Sequence, residues 1–227
     1  MVSEGMLYLR RVWAIVRKDL AAEMRSREMV SAMLVFALVV ILVFNFAFDM
    51  RAARAIEVAP GVLWVAFAFS GMLGLGRSFI LERDQGCLDG LLLCPSDRSI
   101  IYLGKMLGNL LFISIIEVAS LPVFIAIFNL PLELRLLPVI LLGTIGLAAV
   151  GTLFSAMTVQ ARAREVLLPV LVLPIIIPVL IAAVKLTAGL LDGQPWDEIA
   201  HWFRFLLGYD ALFLAISYMT FDFVVEE

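Results

Sequence analysis

The sequence predicts an all-α, polytopic membrane protein with six spanning helices, and three observations lead there. Hydrophobic residues make up 63% of the 227-residue chain, charged residues only 16%, and the mean hydropathy is +1.05, against about 45–50% and about 25% in a soluble domain. The apolar residues fall into runs separated by short polar breaks, each run near the roughly 20 residues that a bilayer requires. Lys and Arg are unevenly divided between the breaks, which gives the runs an orientation.

The first element is not a span. Met6 to Met29 sets Leu7, Leu9, Val12, Trp13, Val16, Leu20 and Met24 among Arg10, Arg11, Arg17, Lys18, Arg25 and Arg27. That spacing predicts an amphipathic helix over residues 6–29, lying at the membrane surface with its basic face on anionic headgroups. It lacks the charged, apolar, then small-residue layout of a cleaved signal peptide.

The six spans follow as Val30–Phe48, Pro60 to about Ile80, Ile100 to about Phe128, Leu136–Val159, Val166 to about Thr187, and Arg204–Val225. Pro60 is expected to open the second, since proline is accommodated in a first helical turn. With the N-terminus inside, twelve of the 17 basic residues are cytoplasmic; only Arg51, Arg54, Arg135, Lys185 and Arg204 fall outside. The expected topology is N-in and C-in, as a single permease domain over residues 1–227. An external, half-apolar interfacial segment is expected over 188–203, where Trp196, Ile199, Trp202 and Phe203 flank the only histidine, His201. Spans and short connections leave no room for a soluble catalytic domain of about 100–200 residues.

Residues 82–99 are the one long interior stretch that mixes charge with turn formers, ERDQGCLDGLLLCPSDRS. On this topology it is a cytoplasmic loop between the second and third spans. It contains both cysteines, Cys87 and Cys94, expected to be reduced thiols there. Two cysteines and one histidine are too few soft ligands for a zinc or iron–sulfur site built from this chain alone.

Gly71–Ser78, GMLGLGRS, has the glycine spacing of a phosphate-binding loop but carries Arg where the lysine belongs and closes an apolar span. Its glycines, with Gly104 and Gly108, are better read as allowing helices to approach closely. Asn109, Glu117 and Asp210 are polar groups inside spans, where carboxyls usually face the bundle interior or a cavity. Pro169, Pro174 and Pro178 all fall in the fifth span, and each removes a backbone donor, which predicts a broken or pliable helix. No Ser-His-Asp set, paired catalytic carboxylates, metal-ligand spacing or basic stripe for nucleic acid is present.

Ala59-Pro-Gly-Val-Leu-Trp-Val-Ala66, the run from Leu81 to Pro95, Leu103-Gly-Lys105 and the proline-bearing 168–178 stretch resemble the CcmB family, the permease subunit of the cytochrome c maturation ABC transporter. The resemblance extends over essentially the whole chain, and the loop signature is its most specific part. It implies a bacterial inner-membrane protein that is not itself an enzyme. ATP and Mg would be bound by a separate cytoplasmic ATPase, the A subunit, in two copies. A second copy of the permease, the haem-handling C subunit, the small D subunit and the periplasmic haem chaperone, the E subunit, complete the implied partners. Haem is the implied cargo, and membrane lipid the surroundings.

The 82–99 stretch then reads as a coupling helix for the ATPase. Glu82, Arg83, Asp84 and Asp89 would set register by charge pairs, and Leu88, Leu91 and Leu92 would enter a groove. Gly86 and Gly90 allow close approach, and Pro95 ends the helix. Two other functions share these features: an exporter permease of the same ABC-2 class with a lipid, drug or polysaccharide cargo, and a non-transporting scaffold for a haem-handling complex.

Overall fold

The computed structural model describes residues 4–48, 52–84, 86, 98–131, 133–161 and 163–226; the side chains of residues 4, 52–56, 81, 225 and 226 lie outside that description. Within it the chain forms α1 (Glu4–Ser26), α2 (Glu28–Ala47), α3 (Ala52–Arg77), the short α4 (Ile80–Asp84), α5 (Arg98–Phe128), α6 (Leu136–Thr158), α7 (Arg164–Leu191) and α8 (Trp196–Glu226). Six helical stretches are long and apolar enough to cross a membrane, and α3 with α4 forms one of them. The chain is a multi-pass membrane protein.

The spans divide into centre and periphery. Of the apolar window in each, 72% is buried in α3–α4 and in α6, but only 22% in α2 and in α8. α6 touches α3, α5, α7 and α8, and α3 also meets α2, α5 and α7. The main core runs from Met33 and Ala37 on α2 through Leu63 and Phe67 on α3 to Val172, Ile176 and Val179 on α7. In lipid such contacts hold by close packing and by interhelical hydrogen bonds. Trp64 Nε1 donates to Thr187 Oγ1 at 3.0 Å, and Ser70 Oγ to the Met33 carbonyl at 2.9 Å.

α1 and α2 meet at a sharp joint. Arg27 adopts φ +56°, the left-handed region that costs a non-glycine residue about 1–2 kcal/mol. Glu23, in the last turn of α1, offsets that cost: its Oε1 accepts the Val30 N–H at 2.8 Å. The carboxylate thus caps α2 from the preceding helix, at the end where the dipole favours a negative charge. α1 then lies along α5, burying Val12 and Val16.

Three expected boundaries differ. Pro60 does not open a helix, because α3 already starts at Ala52 and holds Pro60 in its interior; one backbone hydrogen bond is forgone and the helix continues. The fifth span is not broken at Pro169, Pro174 or Pro178, which all lie inside α7. The Tyr209 hydroxyl on α8 donates to the Ile175 carbonyl at 2.7 Å, a bond that ties α8 to this stretch. Residues 188–203 are not a separate segment: α7 runs to Leu191, a turn with Gly193 at φ +69° follows, and α8 begins at Trp196.

Candidate functional site

The strongest concentration of buried charge lies where α1, the α3–α4 turn and α5 meet. It begins with Gly104 on α5. A Cβ there would stand 2.8 Å from Ile15 Cβ, so only glycine lets α1 come this close. The approach carries Lys18 and Asp19 of α1 up to Lys105, the next residue on α5, and to Glu82 on α4.

Lys105 is 2% exposed. Burying a lone ammonium costs several kcal/mol unless its donors are met, and here all three have acceptors. Nζ donates to the Ser78 carbonyl at 2.7 Å, pairs with Asp19 Oδ2 at 3.1 Å and makes a short hydrogen bond to Glu82 Oε1. Ser78 follows the C-terminal end of α3, where a cation meets the negative end of the helix dipole. The Phe79 ring, 5.2 Å from the ammonium, completes the enclosure. Lys18 Nζ reaches the same Glu82 Oε1 at 2.5 Å and Asp19 Oδ1 at 3.0 Å. Burial works against the Lys18 charge, but the hydrogen bond to Glu82 and the nearby carboxylates outweigh it, so its pKa stands above the usual 10.5.

The quartet is electrically balanced, yet one atom is left over. Glu82 Oε1 receives both lysines, whereas Oε2 is buried with no hydrogen-bond partner among the described residues. Beside it opens a cavity of about 840 Å³ bounded by α1, α2, α3–α4, α5 and α7.

Within the chain the Glu82 carboxylate is held by Lys18 and Lys105. Arg83 is likewise engaged, donating to the Val159 carbonyl at the end of α6 at 2.6 Å. Asp84 is exposed, and Gly86 is exposed at φ +65°. Leu88, Asp89, Gly90, Leu91, Leu92 and Pro95, with Cys87 and Cys94, lie outside the described residues.

Two polar groups within the spans serve helix contacts. Asn109 Nδ2 donates to Thr152 Oγ1 at 2.9 Å. The Thr144 hydroxyl stands 2.7 and 2.8 Å from the Glu117 carboxyl oxygens and 2.7 Å from the Ile140 carbonyl. Both fasten α5 to α6. Asp210 is buried with both carboxyl oxygens unpartnered among the described residues, one of them 2.7 Å from where a Cβ on Gly146 would stand. His201 is exposed and packs on Trp202, ring centroids 4.7 Å apart.

Sequence reasoning missed Lys18, Asp19 and Lys105 as a site. The available signals were a lysine beside a glycine inside an apolar run, and an acid in an otherwise basic helix.

Six apolar helices with one balanced charge cluster at a shared end define a multi-pass membrane protein whose ionic chemistry gathers beside its longest polar connection. The family model described as CcmB protein matches residues 10–226, and the chain belongs to that family. Among its relatives is the Heme exporter protein B of Rhodobacter capsulatus, 30% identical over 182 residues, covering 79% of this chain and 84% of that protein. The Heme exporter protein B of Pseudomonas aeruginosa is 31% identical over 175 residues, 75% of this chain and 77% of that protein. That of Escherichia coli K12 is 32% identical over 178 residues, 75% and 79% respectively.

Proposed function

We propose that the chain is the membrane permease subunit of an ABC transporter for cytochrome c maturation, in the bacterial inner membrane with both termini in the cytoplasm. In this reading it binds no nucleotide. A partner ATPase docks on residues 82–99, two copies of each subunit assemble with the C and D subunits, and ATP hydrolysis serves delivery of haem or release of the haem-loaded E-subunit chaperone.

The observation that carries the reading is the quartet. Glu82 stands immediately before the polar connection and is tied to α1 through Lys18 and to α5 through Lys105. Force applied to the connection would move α1 and α5 together. The buried polar side chains of α5 favour transmission of force over passage of haem, since Asn109 and Glu117 are bonded to α6. The exposed face of α1, with Met6, Leu9 and Trp13 beside Arg10 and Arg17, suits a helix resting on headgroups.

A deletion strain tests the role. It should lack assembled c-type cytochromes and regain them with this chain; normal cytochromes in the deletion strain would leave a different cargo as the better reading. Docking is tested by Leu92→Asp and Asp89→Lys, expected to lose most of the co-purified ATPase while inserting normally. Wild-type recovery of the ATPase with both variants would remove the coupling role.

A further inference from the structure

The cavity beside the quartet combines three properties. Its lining runs from charge into apolar surface. Glu28 and Phe36 on α2, and Arg77 and Phe69 on α3, are all part of its lining. Eight residues separate the members of each pair, so the charged end stands about 12 Å from the apolar one. Leu73, 44% exposed, lies between on α3.

Its charged end holds both signs. Beyond the self-balanced quartet, the lining includes the carboxylates of Glu23, Glu28, Asp84 and Glu165 and the guanidinium groups of Arg77 and Arg164. Glu23 is engaged by the Val30 N–H; the other five make no ion pair among the described residues. The carboxylates are in excess. The third property is Glu82 itself, which lines the cavity, is 5% exposed and has an unpartnered Oε2.

We propose that this cavity binds a zwitterionic phospholipid whose headgroup ends in a primary ammonium, such as phosphatidylethanolamine. The ammonium carries three N–H donors and gives one to Glu82 Oε2, with Glu28 and Glu165 taking the others. The phosphate lies between Arg77 and Arg164, whose planar groups suit its oxygens. The upper acyl chain follows Leu73 toward Phe36 and Phe69. Choline has no N–H to donate, and a glycerol headgroup adds no cation to face the excess carboxylates, so the site selects by headgroup. The inference stands independently of what the transporter carries.

The test is competition on the full-length purified protein. An equimolar mixture of phosphatidylethanolamine, phosphatidylcholine and phosphatidylglycerol with identical acyl chains is offered in detergent, and retained lipid is read by native mass spectrometry. Phosphatidylethanolamine should be retained about tenfold over either competitor, the scale of one charge-assisted contact. Equal retention, or preference for the choline or glycerol lipid, overturns the proposal on the wild-type protein alone. The Glu28→Gln/Glu165→Gln variant leaves the quartet intact and should bring the ratio toward one. Leu73→Trp, filling the tail path, should lower the ethanolamine lipid selectively. An unchanged ratio in the folded double variant overturns the headgroup assignment.

Discussion

At the scale of single residues, Lys105 shows how a membrane chain uses a cation that the bilayer would otherwise reject. Its three donors meet three acceptors, so removing it harms the partners more than it relieves the lysine. Lys105→Met leaves Glu82 and Asp19 with fewer counter-charges and should cost about 3–5 kcal/mol, read as a lower midpoint of thermal unfolding in detergent. Combining it with Glu82→Gln should cost much less than the two single losses added together, because the groups share one network. Glu117 is a different case. Its contact is a neutral hydroxyl on α6, so Glu117→Gln should preserve cytochrome assembly. Glu117→Leu, if the bundle moves, should reduce assembly while the protein is still recovered in the membrane; a silent leucine would favour a static scaffold. Glu117 was visible in the sequence, as an acid deep in an apolar run. The quartet was not, since its members lie far apart in the chain and only the approach allowed by Gly104 brings them together.

At the scale of elements, the joint between α1 and α2 is tied by a side-chain reach-back from Glu23 to Val30. Glu23→Ala should cost about 1 kcal/mol, as loss of a cap does, and should increase tryptic cleavage at Arg25 and Arg27 in membranes. On α7 and α8, Tyr209→Phe removes the donor at the Ile175 carbonyl and should cost about 1 kcal/mol, read as a lower unfolding midpoint with the helical circular dichroism signal unchanged. Helix existence was legible because apolar runs of membrane length have few other solutions. Their ends were less so. α3 begins ahead of Pro60 and α8 ahead of Arg204, since packing extends a helix through residues whose local preference is to stop it. The three prolines of α7 read as a break by local rules, yet the helix runs through all of them.

At the scale of the molecule, α3 and α6 form the buried axis, and α2 and α8 have mostly uncovered apolar flanks. The proposed N-in, C-in arrangement makes a direct prediction. A C-terminal alkaline phosphatase fusion should be inactive and a C-terminal green fluorescent protein fusion bright; the reverse pattern would turn the bundle over and move residues 82–99 to the other side. Sequence reasoning reached the number of spans and the family. It reached the polar connection as the place of interest but not its attachment, because Glu82 reads as a surface charge until α1 and α5 close over it.

That closure has a consequence for how the protein is made. Lys18, Asp19 and Glu82 all leave the ribosome before Lys105 does. The third span carries its ammonium near one end, and its neutralising acids lie on helices already made. Pairing of α5 with them thus follows the arrival of α1 and α4. The order of synthesis becomes part of what assembles the bundle.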